Sequence, residues 1–246
     1  MELKPVNKHI DDVTIEQIED HKLITQDELN KDLENLFGYD ASENRNNFFG
    51  NPFLYHFQFK NLIKCHREGG DTIYDIYNDK AKWDKLIDSA KKRNRGGRTA
   101  AGNVYECFRI NLGSVVMFKS TTAKYLYQKY NATSVLDPTA GWGGRMLGAW
   151  ALGIDYTGID TNTNMKSAYD DMIEMLNNKT PAIFEQPKLE MLWQSALDVD
   201  FSNIDYDFVL TSPPYVNLEI YEHMEPWESD EKFYVDFFIP LWQKCM

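Results

Sequence analysis

Two consecutive prolines constrain this chain more than any other feature. Phe208-Val-Leu-Thr-Ser-Pro-Pro-Tyr215 runs from an apolar strand signal into Pro213-Pro214. Neither proline carries a backbone N–H, so the strand must end there in a stiff, extended turn. Such a turn leaves the Ser212 hydroxyl and the Pro213 carbonyl pointing outward, with the Tyr215 ring as a flat face beside them. That set suits a planar amino group, offering acceptors for its N–H bonds and a ring for stacking. The plainer alternative is a strand closed by a proline-rich turn, with Tyr215 packed as core.

A second stretch, Ser134-Val-Leu-Asp-Pro-Thr-Ala-Gly-Trp-Gly-Gly-Arg145, reads as strand, glycine loop and helix. Val135-Leu136 is a short buried-strand signal and Asp137-Pro138 stops the ladder. Gly141, Gly143 and Gly144 then let the backbone turn tightly before a helix near Met146. Such a turn either serves a ligand or merely joins a strand to a helix. It lacks the Gly-Lys-Ser/Thr ending of a phosphate cradle, which argues against a nucleoside triphosphate.

Further strands follow at Tyr156–Asp160, Leu189–Trp193 and Phe208–Leu210, with a helix from about Asn164 to Asn177 carrying Met172 and Leu176. Asp160 ends its strand about 20 residues beyond the glycine loop, where a carboxylate can accept both ribose hydroxyls of an adenosine. A last helix, Asp230 to Lys244, places Phe233, Phe237 and Leu241 on one face. The pattern predicts a doubly wound parallel α/β sheet of strand order 3-2-1-4, with ligands at the carboxyl ends of the first and fourth strands.

Together the two loops resemble the S-adenosylmethionine-dependent amino-methyltransferases of DNA, and their wording is most similar to the DNA methylases of phages and large DNA viruses. The family's Asp-Pro-x-x-Gly-x-Gly cofactor loop is matched by Asp137, Pro138, Gly141 and Gly143, with Thr139 inside it. Its Ser/Asp/Asn-Pro-Pro-aromatic loop, which holds the target amino group, is matched by Ser212, Pro213, Pro214 and Tyr215. The resemblance spans roughly residues 100 to 246 and implies a Rossmann-like class I methyltransferase core. It assigns Phe118, with Lys119, to the methionine end of the cofactor, although the family's glycine after Phe118 is missing. Where the family has an Asp that contacts the cofactor's adenine, this chain has Ser195; Asp198 or a backbone amide is the expected substitute.

The activity implied is methyl transfer to the exocyclic nitrogen of cytosine or adenine in a base flipped from double-stranded DNA, with cytosine slightly favoured by Ser212. No Pro-Cys pair is present, so methylation at carbon five of cytosine through a cysteine nucleophile is excluded. Family members continue with further strands, so the chain is expected to be truncated, its fourth strand open at one edge. A missing C-terminal segment or a second polypeptide would complete the sheet. Two other readings stand beside this one: methylation of RNA or of a glutamine side chain, and a non-catalytic remnant that binds cofactor or DNA.

With 246 residues, 43% of them hydrophobic, the chain can bury one full domain and a smaller appendage. The expected division is a mainly helical accessory region over 1–98 and the methyltransferase core over 99–246. Thr25 with Glu28 forms a capping box ahead of the stripe Leu29, Leu33, Leu36, with Gly38 closing the helix. Phe53, Tyr55, Phe57 and Phe59 alternate as a strand would, or form a helix running on to Leu62 and Ile63. Gly69-Gly70 breaks the segment and Asp71 can cap the next one.

The net charge of −12 counts against a nonspecific nucleic-acid binder, but it is unevenly spread. Lys91 to Tyr130 holds nine Lys/Arg against Glu106 alone, a net of +8 that leaves −20 elsewhere. Arg93, Arg95 and Arg98 in a flexible basic loop are the candidates for phosphate contact; a solvated basic surface is the alternative. Cys65, Cys107 and Cys245 are odd in number and widely spaced, which suggests neither a disulfide framework nor a zinc site and fits a reducing cytoplasm, bacterial or virus-infected. Cys65-His66 with His56 is poor ligand geometry, so no metal is expected. No apolar run approaches the roughly 20 residues needed to span a bilayer, and no membrane association is expected.

Overall fold

The computed structural model describes residues 9–42, 47–93, 98–179 and 186–246. Its first half is helical: α1 (Ile15–Asp20), α2 (Gln26–Gly38), α3 (Asn51–Leu62), a two-residue strand β1 (His66–Arg67), then α4 (Ile73–Asn78), α5 (Lys80–Lys92) and α6 (Ala100–Phe108). Threonine starts α1, α2 and α4 in the same way. The hydroxyl of Thr14, Thr25 or Thr72 accepts the N–H three residues on, and the side chain there (Gln17, Glu28 or Asp75) accepts the threonine N–H. Each box satisfies two of the N–H groups that a helix start leaves unpaired. Thr72, not Asp71, is therefore the cap of α4; Asp71 pairs with Lys82 at 2.7 Å instead. At the other end of α2, Gly38 is the last helical residue and Tyr39 the cap.

The aromatic run at 53–59 lies in α3. Its buried residues, Phe53, Leu54, Gln58, Phe59 and Leu62, recur at helical spacing, which outweighs the two-residue alternation of the rings. The start of α3 is capped from α2: the Asp32 carboxylate accepts the Gly50 N–H (3.1 Å) and the Phe53 N–H (3.0 Å).

The second half alternates helix and strand: α7 (Ser120–Tyr130), β2 (Ser134–Asp137), α8 (Gly144–Trp150), β3 (Asp155–Asp160), α9 (Lys166–Lys179), β4 (Leu189–Trp193), β5 (Phe208–Val209), β6 (Glu219–Ile220), α10 (Asp230–Phe233) and α11 (Ile239–Cys245). Four strands form one parallel sheet in the order β4-β3-β2-β5, so the fold is mixed α/β with the predicted strand order. The order reverses between β2 and β5, and such reversals open a crevice at the carboxyl ends of the strands.

Neighbouring residues on these strands face opposite sides. Val135, Tyr156 and Phe208 pack into a large core with Leu33, Leu36, Phe53, Leu54, Leu147 and Met172, so the N-terminal helices share one core with the sheet. Leu136, Ile159 and Val209 face a smaller cluster with Ala196, Phe201 and Leu241. A second tie joins the halves: β1 pairs antiparallel with β6, His66 opposite Ile220. Asp230 to Cys245 is one helical run interrupted by a π-helical turn at Tyr234–Phe238; Phe233 and Leu241 are buried in it and Phe237 partly so. Among the described residues β5 pairs only with β2, no helix is long and apolar enough to cross a membrane, and no group of three His, Cys, Asp or Glu could hold a metal ion.

Candidate functional site

Each parallel strand delivers a loop to the crevice. At the end of β2, Asp137 is fully buried and its Oδ2 accepts from Arg145 Nε (2.6 Å) and from the Tyr156 hydroxyl (2.7 Å). Arg145, in the first turn of α8, also donates to the Thr139 carbonyl, so one guanidinium pins both ends of the glycine loop. Burial opposes its charge, but the Asp137 carboxylate together with Tyr156 and Tyr127 outweighs that and raises the Arg145 pKa above its ordinary value. Gly143 holds φ +87°, and at Gly144 an added Cβ would stand 2.0 Å from the Phe118 carbonyl oxygen. Only glycine permits that approach.

At the end of β3, Asp160 accepts the Gly141 N–H at Oδ2 (2.8 Å) and the Asn162 N–H at Oδ1 (2.9 Å). Burial raises its pKa above the ordinary value, and these two N–H bonds pull in the other direction. Each carboxylate oxygen keeps acceptor capacity after one such bond. At the end of β4, Ser195 Oγ accepts the Leu197 N–H (3.2 Å), and Lys244 of α11 donates to the Leu197 and Val199 carbonyls, both at 2.6 Å. At the end of β5, Thr211 bonds to Thr139, and Ser212 Oγ lies 3.0 Å from the Tyr215 hydroxyl. Val216, next in the chain, has φ +53°, a strained conformation for a β-branched residue. The segment beyond it folds back: the Asn217 amide donates to the Trp227 carbonyl (2.8 Å) and accepts its N–H (2.7 Å). His223 Nε2 reaches Thr161 Oγ1 at 2.9 Å.

These loops enclose a cavity of about 380 Å³. Of the residues singled out from sequence, Pro138, Thr139, Gly141, Asp160, Ser195, Ser212 and Pro214 line it together. The others do not. Asp137 and Gly143 shape the loop without facing the cavity, because Asp137 is spent on Arg145 and Tyr156. Phe118 lies against the Arg145 guanidinium, 5.1 Å from ring centroid to Cζ, and offers its carbonyl to Gly144. Asp198 is exposed outside the cavity, and Pro213 is not in its wall. Tyr215 is 56% exposed and also lies outside the wall.

The described residues of the basic segment do not all lie on one exposed face, since Lys124 is buried. Arg93 and Arg98 border a separate depression with Lys92 and Glu106, Arg98 standing 3.7 Å from the Glu106 carboxylate. Arg95 lies outside the described residues. Lys91 pairs with Asp11, and Arg109 with Glu106 at 2.9 Å. Lys124 is buried, donating to the Leu36 and Phe37 carbonyls at 2.9 and 2.8 Å, and burial lowers its pKa to about 8.

The cavity gains walls that sequence reasoning missed: Trp142, Tyr221, His223, Trp227, Asp236 and Phe237. Trp142 sits inside the glycine loop itself, and Tyr221 to Trp227 follow the proline loop closely, so proximity to the motifs was their one available signal. The lining includes three carboxylates, Asp160, Glu225 and Asp236, and among its described residues no Lys or Arg. Such a site favours a neutral or cationic ligand over a phosphate. The chain matches no family model, no curated protein and no solved structure.

Proposed function

We propose that this chain is an S-adenosylmethionine-dependent methyltransferase acting on the exocyclic amino group of cytosine or adenine in double-stranded DNA. The observation that carries the reading is one cavity, at the point where the strand order reverses, that joins the glycine loop, Asp160 and Ser212 without a Lys or Arg in its described lining. A doubly charged phosphate would be repelled there; a sulfonium and an ammonium would be attracted.

The residues present fit such a cofactor. Asp160 has acceptor capacity left for ribose hydroxyls, and the cavity volume falls in the range of small-molecule sites. Pro138, Thr139 and Gly141 would hold it from β2 and Asp160 from β3. When bound, S-adenosylmethionine supplies a methyl group made electrophilic by its sulfonium. The chain's task is then to raise the reactivity of an amino nitrogen whose lone pair is conjugated into a ring. Ser212 Oγ accepts an N–H of that group and favours the pyramidal form in which the lone pair is free. Pro213-Pro214 fixes the position of Ser212, since neither can rotate about φ. Trp142, Tyr221 and Pro214 supply apolar walls that exclude water. No side-chain nucleophile is required.

Incorporation of labelled methyl from S-adenosylmethionine into unmodified duplex DNA tests the proposal, with Ser212→Ala and Asp160→Ala as controls. Label recovered as an amino-methylated base, and lost in both variants, is expected. Cofactor binding without label supports the non-catalytic reading, and label in RNA or protein but not DNA redirects the substrate.

A further inference from the structure

We propose that Arg67 holds a backbone phosphate of the substrate DNA at the rim of the cavity. The inference rests on the proposed DNA substrate and adds the cation that docks it.

The described lining of the cavity carries Asp160, Glu225 and Asp236 and no Lys or Arg, and the whole chain has a net charge of −12. A base flipped into such a site stays joined to its phosphates, so those anions must be held outside the lining by a cation close to the proline loop. Two hydrogen bonds lead from that loop to β1. The Leu218 N–H donates to the Tyr215 carbonyl (2.9 Å), and the Glu68 N–H donates to the Leu218 carbonyl (3.2 Å). Arg67 therefore sits beside the segment that follows Ser212, opposite Glu219 in the β1–β6 pair. Pro214 lines the cavity, while Tyr215 and Leu218, 56% and 53% exposed, lie outside its wall, so this is the rim on the proline-loop side.

The charge of Arg67 is not spent within the chain. Among the described residues, Arg98, Arg109 and Arg145 each stand beside a carboxylate. Arg67 and Arg93 do not, and Arg67 is the one whose strand is bonded to the segment after the proline loop. Lys64, three residues earlier, is taken by Glu222 at 3.3 Å. Glu219, across the strand pair, is buried and accepts the Tyr221 hydroxyl at 2.7 Å. Glu68, next in the chain, is exposed, where solvent and salt screen it.

The side chain also has a seat. Gly113, the last residue of a π-helical turn at Arg109–Gly113, holds φ +72°, and a Cβ there would stand 2.9 Å from Arg67 Cδ and 3.2 Å from its Nε. The arginine stem thus lies across a position that glycine leaves open, which restricts its rotamers while Arg67 stays exposed. A guanidinium held this way loses less freedom on meeting a phosphate, and its planar fork can donate two bonds to it.

Methyl incorporation from S-adenosylmethionine into unmodified duplex DNA, measured on the full chain at a series of salt concentrations, tests the inference. Arg67→Ala is expected to raise KM for DNA by about tenfold, the scale of one hydrogen bond to a charged group, and to reduce the salt slope of log kcat/KM by about one. Its calorimetric affinity for S-adenosylhomocysteine should match wild type. Arg67→Lys should keep the salt slope while recovering part of the KM, because a point charge replaces a fork. Arg67 is exposed, so both variants should fold, as circular dichroism will report. An unchanged KM and salt slope in Arg67→Ala overturns the inference and leaves the methyltransferase standing. So does equal loss in both variants accompanied by loss of S-adenosylhomocysteine binding, which would mark a packing role. Absence of label in DNA from wild type overturns the proposed function, and this inference with it.

Discussion

The Thr211 hydroxyl accepts the Thr139 N–H at 3.1 Å and lies 2.6 Å from the Thr139 hydroxyl, so one side chain ties the β5 exit to the β2 exit. The two residues are 72 apart in sequence and meet because β2 and β5 are neighbours in the sheet. Thr211→Val preserves the shape and leaves a partly buried N–H unpaired. The expected loss is about 1–3 kcal/mol of stability in urea denaturation. Thr211→Ser should recover most of it.

The ion pair between Asp137 and Arg145 is enclosed, the two side chains being 0% and 3% exposed. Among the described residues Asp137 Oδ1 has no hydrogen-bond partner, so the carboxylate depends on what Oδ2 receives. Arg145→Met should cost about 3–5 kcal/mol by leaving a buried charge uncompensated. The double variant Asp137→Leu with Arg145→Met should be more stable than that single one, a difference that thermal unfolding of both will measure.

On the proposed function, Asp160 ties cofactor affinity to pH. Its folded pKa is raised by burial, so the folded chain holds the proton to higher pH than the unfolded chain does. Its contribution to stability is therefore complete below the ordinary Asp value and is lost as pH rises through the raised one. Ligand hydroxyls need the ionised form, so affinity for S-adenosylhomocysteine should run the other way and rise with pH over the same window. Asp160→Asn should weaken binding by about tenfold or more and remove this pH dependence, as calorimetry across the acid range will show.

His21, at the end of α1, predicts a separate acid sensitivity. Its Nδ1–H donates to the Ile18 carbonyl at 2.6 Å, and its ring packs edge-on to Phe59 with centroids 4.7 Å apart. Burial lowers its pKa from 6.5 to about 4. The unfolded chain thus binds the proton first, so this contribution is present above pH 6.5 and is lost as pH falls through about 4. The loss is at most about 3 kcal/mol. His21→Phe should flatten the stability profile in that window, measured by denaturant unfolding at a series of pH values.

Much of the sheet was legible because its signals are local. Val135-Leu136 and Leu189–Trp193 announce strands by side-chain type, Pro213-Pro214 bars the chain from returning to a ladder beyond β5, which ends at Val209, and Thr25 with Glu28 starts α2 within four residues of chain. The 53–59 aromatics fitted two periods at once, and the choice fell to the partners: Asp32 from α2 caps the helix, and Leu147 and Met172 share the core with its buried side.

Where the strands end, which loops carry glycine and proline, and the order in which those loops appear were all written in the chain. Backbone chemistry acts between near neighbours, and these features need no others. The direction each side chain faces was settled by long-range packing. Folding turned Asp137 inward to Arg145, buried Lys124 under the end of α2, and brought Trp227 and Asp236 to the cavity wall. Burial and charge pairing depend on which distant segments meet, and no local pattern records that.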